Sequence, residues 1–159
     1  MLRTAPQDIP ASSSLLITTL LAYFVVGFLL ALVKLEFVQS LGAGLVDVIF
    51  LLFISYVMMW VRLTTNRWHQ TATSMAAVST LIGIMAFPVI AMQGMLGTEG
   101  ALASFSVLIL IGLMIWNLVI IAHIFKHSLD ASMFVATLLA GFYMYLSLKI
   151  MSVLFFQAE

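Results

Sequence analysis

Five long apolar runs, separated by short polar or glycine-containing segments, divide the sequence. Each run has about twenty residues or more, which as an α-helix covers the roughly 30 Å hydrocarbon core of a bilayer. A segment that crosses lipid must satisfy its own backbone polar groups, and the runs lack the alternation of barrel strands, so each is predicted to be a helix. The predicted helices cover residues 14–33, 42–61, 72–96, 101–125 and 131–156.

This pattern predicts an all-α fold, a polytopic integral membrane bundle of five transmembrane helices. Residues 14–159 are expected to form a single domain, and residues 1–13 a short cytoplasmic segment. The first run is predicted to be a retained helix rather than a signal peptide. Asp8 and two prolines precede it, and no small-residue cleavage site follows before Lys34.

The basic residues predict the orientation of the bundle. With five crossings, the N-terminus, the second loop and the fourth loop share one side, which carries Arg3, Arg62, Arg67 and Lys126. The opposite side carries only Lys34. The positive-inside rule therefore predicts a cytoplasmic N-terminus and an external C-terminus. The compact loops favour a bacterial inner membrane as the location.

Composition supports a lipid environment and excludes several other classes. Apolar residues make up 64% of the chain and charged residues 8%, whereas a soluble domain carries about 25% charged residues. The lipid bilayer is therefore the first partner expected. A net charge of zero provides no field for nucleic acid, and the absence of cysteine excludes disulfides and thiolate chemistry.

The third run has a face of small residues, which favours close helix packing in lipid. Its members recur at spacings of three and four: Ala72, Ala76, Ser79, Gly83 and Ala86. This helix is expected at the centre of the bundle. Pro88 is expected to kink it, because proline removes one backbone hydrogen bond and crowds the preceding turn.

A few polar side chains fall inside the apolar runs, where they need a partner or a route to the interface. Asp47 and Lys149 are both predicted roughly 8–10 Å below the outer boundary, and are therefore placed to pair across the bundle. Gln93 lies near the same level. The pair is either a gated ion site, a fixed contact that sets helix order, or two side chains that reach the interface separately. Asn117 is expected to make an interhelical hydrogen bond rather than to bind a substrate.

Three histidines fall near the predicted inner boundary. His123 and His127 have the i, i+4 spacing of a two-ligand metal site, and His69 is a candidate third ligand. Imidazole side chains are also well solvated at the membrane–water interface. The histidines are therefore interpreted as interfacial residues, and no metal or other cofactor is predicted.

Signatures of catalysis are missing from the sequence. It contains no HExxH, phosphate loop or nucleophile elbow. Asp47 is the one acid expected within the apolar runs, whereas an enzyme would need several facing acids and bases. The chain is therefore predicted not to be an enzyme.

The layout resembles that of the Yip family of small membrane proteins. The resemblance covers residues 14–156 and includes Arg67-x-x-Gln70-Thr-x-Thr73 at the entry to the third helix, the small residues after it, and Pro88 near its far end. It implies five closely spaced helices, an external C-terminus, and a role in organising a membrane or a complex. In eukaryotic members of the family, a longer cytoplasmic segment contacts partner proteins. The corresponding segment of this sequence has only about thirteen residues.

Three functions are compatible with these patterns. The favoured one is a non-catalytic scaffold, assembly factor or accessory subunit that docks through its helix faces on another integral membrane protein or on a second copy of itself. The first alternative is a small transporter or channel subunit that uses Asp47, Lys149 and Gln93. The second is a cofactor-bearing respiratory subunit that uses His69, His123 and His127.

Overall fold

The computed structural model describes residues 10–96 and 101–155, without the side chains of residues 94–96, 101 and 102. Within these ranges the chain is helical and contains no strand. The helices are α1 (Ser13–Ala31), α2 (Phe37–Val61), α3 (Trp68–Leu96), α4 (Ala101–Ser128) and α5 (Met133–Phe155), with a short 3₁₀ turn at Thr65–Arg67 before α3. All five α-helices are long and apolar enough to cross a membrane. Most of the predicted segment 1–13, residues 97–100 and residue 156 lie outside the described residues.

The predicted starts of two helices were too late. α2 begins at Phe37 rather than at residue 42, and α3 begins at Trp68 rather than at residue 72. The apolar pattern marks the part of a helix that suits lipid, whereas the backbone stays helical through polar residues such as Gln39 and His69. The earlier start places Asp47 ten residues into α2, roughly 15 Å along the helix from its first residue.

The helices form a ring in the order α1, α3, α4, α5 and α2, and α2 also contacts α3. α1 packs most extensively against α3, which is not its neighbour in sequence. At the closest approach, a Cβ added to Gly83 of α3 would lie 2.6 Å from Cγ1 of Val26 and 3.3 Å from Cδ1 of Leu30, both on α1. Only glycine permits this spacing between the two helices.

The small residues of α3 lie at different depths. Ala72, Ala76 and Gly83 are buried, and Ser79 and Ala86 are half-buried. Pro88 is exposed, and α3 continues through it as a helix. The kink at Pro88 stays a prediction.

The bundle is most tightly packed at the end where α2 and α4 finish and α3 and α5 begin, which we call the Arg67 end. Its largest fully buried side chains include Phe125, Met59 and Met75. The hydroxyl groups of Thr71 and Ser128 lie 2.8 Å apart within this core. We call the opposite end, where α1 finishes and α2 begins, the Glu36 end.

Both helices that finish at the Arg67 end have the same C-terminal motif. After α2, the amide of Thr64 donates to the carbonyl of Met59 and that of Leu63 donates to Trp60. After α4, the amide of Ala131 donates to Lys126. These bonds follow the Schellman pattern, which requires a left-handed residue just past the helix. That residue is Leu63 (φ 56°) after α2 and Asp130 (φ 49°) after α4.

Two arginines join the loops at this end. Arg62 donates to the carbonyl of Leu129 at 3.3 Å, and Arg67 donates to the carbonyl of His127 at 3.3 Å. Arg67 also forms a 3.0 Å salt bridge with Asp130. The α2–α3 and α4–α5 connections are therefore held together, although these residues are far apart in sequence.

Candidate functional site

A cavity of about 280 Å³ lies inside the bundle between its middle and the Glu36 end, and all five helices contribute to its wall. Its polar side chains come from every helix: Tyr23 of α1, Asp47 of α2, Ser79 of α3, Asn117 of α4, and Tyr143 and Ser147 of α5. Asp47 carries the only formal charge among these lining residues. The cavity is therefore acidic and lies among apolar helices.

Asp47 connects three helices at the centre of this wall. The hydroxyl of Tyr23 donates to its Oδ2, and the hydroxyl of Ser147 donates to its Oδ1 at 3.3 Å. A carboxylate offers about four acceptor positions, so these two bonds leave about half of its capacity for another donor. The contacts also link α1 and α5 to α2, which gives Asp47 a structural role besides any chemical one.

Asn117 of α4 also lines the cavity. Its Oδ1 is buried and accepts no hydrogen bond from the described residues. A buried polar atom without a partner costs about 1–3 kcal/mol, so this amide lowers the stability of the bundle at the cavity wall.

The phenol of Tyr143 is held rigidly beside Asp47. Its ring stacks on Phe50 at a centroid distance of 5.6 Å and meets the edge of Phe125 at 6.4 Å. Fixed aromatic packing limits the positions that the hydroxyl group can take. The remaining wall is mainly apolar, with Val26, Leu30, Ile82, Met114, Met144 and Leu148 among its members.

The other two polar candidates do not line this cavity. Lys149 is exposed on α5, and no salt bridge within 4.0 Å joins it to Asp47. Gln93 is half-buried on α3. Between described residues, the ion pair that the structure contains is Arg67–Asp130. The sequence left open whether Asp47 and Lys149 pair or lie apart. In the structure they lie apart, with Asp47 inside the bundle and Lys149 on its surface.

The histidines lie towards the Arg67 end. The rings of His123 and His127 are 4.5 Å apart, and His69 packs against Trp68. In the described parts of the chain, no three histidine or acidic side chains are grouped as they would be around a metal ion. The cofactor-bearing subunit therefore stays an alternative hypothesis from the i, i+4 spacing, and the absence of a cofactor stays a prediction.

Sequence reasoning missed Tyr23, Tyr143 and Ser147. Tyrosine and serine are common in apolar helices, so nothing in the linear pattern marked them. Ser147 and Lys149 are two residues apart, which places them on nearly opposite faces of α5. This helical periodicity could have identified Ser147: if Lys149 faces outward, Ser147 faces the interior of the bundle.

Comparisons of the chain with protein-family models, with curated proteins and with solved structures gave no match. The resemblance to the Yip family therefore stays a prediction from the layout of the sequence.

Proposed function

We propose that this chain is a multi-pass membrane protein that binds a small cationic solute at Asp47 and serves as a small transporter, or as a subunit of a transporter or channel. The observation that carries the proposal is the acidic cavity built by all five helices. A charged residue at the centre of a spanning helix costs roughly 2.5–3.5 kcal/mol on insertion scales, and such residues commonly mark ion or substrate pathways.

In this proposal the bundle lies in a bacterial inner membrane with its N-terminus in the cytoplasm and its C-terminus outside. The Arg67 end, with Arg62, Arg67 and Lys126, then faces the cytoplasm, as the positive-inside rule requires. The cavity lies in the external half of the membrane. The solute is bound and moved, and no bond in it is broken.

The test is cation flux into liposomes that contain the purified full chain. Asp47→Asn keeps the shape of the side chain and removes its charge, so we expect it to lower the uptake of sodium, rubidium or protons about tenfold or more, equivalent to at least about 1.4 kcal/mol. Lys149→Gln is the matched control. It also neutralises one charge in a predicted span, but on the surface of α5, so uptake is expected to stay at the level of the unmodified chain.

The amount of folded protein is measured in parallel by gel filtration and circular dichroism. Loss of flux in a folded Asp47→Asn variant supports the proposal. An unmodified chain that moves no cation, or a folded Asp47→Asn variant with full flux, would overturn it.

A second candidate function is the scaffold or accessory subunit, favoured by the outer face of α5. Thr137, Gly141, Tyr145 and Lys149 follow one another at intervals of four residues, so they share one face of the helix. Thr137, Tyr145 and Lys149 are exposed. Small and polar residues on an outer helix face are typical of contacts between membrane helices. The partner in this proposal is another integral membrane protein or a second copy of the chain.

Mild detergent extraction from native membranes tests this candidate. Gly141→Leu adds a large side chain to the α5 face, so we expect it to remove a co-purifying partner or to shift an oligomer to the monomer. Gly112→Leu is the matched control on α4, because glycines 112 and 141 both have open space around them. A chain that is monomeric and without a partner before any substitution would contradict the candidate.

A further inference from the structure

Three features of the cavity identify the class of its ligand, and the first is charge. Asp47 is the one formally charged side chain among the lining residues. Charges inside a protein are weakly screened, so an uncompensated charge in a low-dielectric site costs free energy. A ligand is therefore favoured when its charge cancels that of the site. The complement of a single carboxylate is a single positive charge.

The second feature is the balance of donors and acceptors. Asp47 receives hydrogen bonds from the hydroxyl groups of Tyr23 and Ser147 and still has acceptor capacity. An ammonium group has three N–H donors and no acceptor, so it can use the free acceptor positions of this carboxylate.

The third feature is size and wall chemistry. A water molecule occupies about 30 Å³ in the liquid, so a cavity of about 280 Å³ is far larger than a bare inorganic ion. Hard divalent cations take six or more oxygen ligands. Here much of the wall consists of aliphatic and methionine side chains such as Val26, Leu30 and Met144. Such a wall suits a short hydrocarbon body attached to the charge.

Building on the proposed function, we infer that the Asp47 cavity binds a small primary alkylammonium ion, with its charged head at Asp47 and its alkyl body against the apolar wall. A primary amine on an alkyl chain has a pKa close to that of lysine, about 10.4, so it is a cation at neutral pH.

The experiment is calorimetric titration of the full chain in lipid nanodiscs with butylammonium chloride. We expect saturable binding that Asp47→Asn reduces about tenfold or more. 1-Butanol has the same chain without the charge, and sodium and potassium chloride have the charge without the chain. Neither the alcohol nor the salts are expected to match butylammonium.

Two tyrosines of α5 provide the matched control. Tyr143→Phe removes a hydroxyl from the cavity wall, whereas Tyr145→Phe removes one from the exposed face two residues away. We expect only the first to change butylammonium binding. Equal effects of the two substitutions would overturn the assignment of the ligand to this cavity.

The outcomes separate this inference from the proposed function. Binding of sodium or potassium that depends on Asp47, without binding of butylammonium, would overturn the alkylammonium assignment and leave the transporter proposal standing. Equal binding of 1-butanol would show that the cavity selects the hydrocarbon alone and would also overturn the assignment. Absence of any cation binding would overturn both.

Discussion

Asp47 lies roughly 15 Å along α2 from Phe37, among side chains that are otherwise mostly apolar. Hydroxyl groups from α1 and α5 donate to its two oxygens. These two hydrogen bonds offset part of the cost of burying the carboxylate, and Lys149 takes no part in its compensation. The sequence identified Asp47 and Asn117 because acids and amides are rare in apolar runs. It did not identify Tyr23 or Ser147, because the helix that each would face was unknown.

The separation of Asp47 from Lys149 predicts additive effects on stability. No salt bridge within 4.0 Å joins these residues, so removal of one charge does not leave the other buried and unpaired. We expect the destabilisation of the double variant Asp47→Asn, Lys149→Gln to equal the sum of the single variants within about 0.3–0.5 kcal/mol. The measurement is unfolding of the detergent-solubilised chain. A double variant that regains a kilocalorie or more would show that the charges interact.

Gly83 predicts a steric effect with a specific rescue. In Gly83→Ala the new methyl group would lie 2.6 Å from Cγ1 of Val26, and valine is stiff at χ1 within a helix. We expect a loss of about 1–3 kcal/mol in unfolding free energy, as for other overpacked sites. Adding Val26→Ala should restore part of it, because the two methyl groups then no longer compete for the same space.

Gly112→Ala is the control for this substitution. Nothing lies within 4 Å of the Cβ that it would add, so we expect it to be neutral or slightly stabilising. Equal unfolding midpoints for Gly83→Ala and Gly112→Ala would show that the α1–α3 contact tolerates a wider spacing than the structure has.

At the level of elements, the apolar runs were sufficient to predict all five helices, because each run is longer than a buried helix of a soluble domain needs to be. Short loops favour packing between helices that follow one another in sequence, and all four such pairs are in contact. The contact between α1 and α3, which is the most extensive, was not predicted. The small face of α3 indicated a close contact but did not specify its partner, since Val26 and Leu30 are ordinary members of an apolar run. The cavity depends on that pairing, so it was not predictable.

The C-terminal motif of α2 predicts the effect of substitutions at Leu63. This residue is left-handed (φ 56°) and 88% exposed, and that backbone costs an ordinary L-residue roughly 1–2 kcal/mol. Asparagine tolerates the conformation better and a β-branched residue tolerates it worse. We therefore expect Leu63→Asn to raise the unfolding free energy by up to about 1 kcal/mol and Leu63→Val to lower it.

Asp130 provides the comparison at the end of α4. It has the same left-handed backbone (φ 49°) but is already a residue type that tolerates it. Asp130→Asn therefore gives no relief of strain, and it removes the partly exposed salt bridge to Arg67, worth about 0–1 kcal/mol. An increase in stability at both positions, or at neither, would contradict the assignment of strain to Leu63.

At the level of the whole molecule, the tightly packed core and the cavity with polar side chains lie towards different ends of the bundle. The Arg67 end has a filled core and two loops joined by arginines. Towards the Glu36 end the helices line the cavity around Asp47, which is partly open because Met114 and Leu148 in its wall are exposed. Local opening occurs preferentially where buried contacts are few. Under the proposed function, a solute would therefore enter from the Glu36 end, while the Arg67 end holds the helices together.

The orientation expected from the positive-inside rule predicts which loops are reached from each side of the membrane. The chain contains no cysteine, so one introduced thiol can be labelled without a background. Glu36 and Asn66 are exposed and flank α2. With the N-terminus in the cytoplasm, a membrane-impermeant thiol reagent added to intact cells should label Glu36→Cys. It should label Asn66→Cys only after the membrane is permeabilised. Labelling of both positions in intact cells would show that α2 does not cross the membrane, and the reverse pattern would place the Arg67 end outside and invert the predicted direction of solute entry.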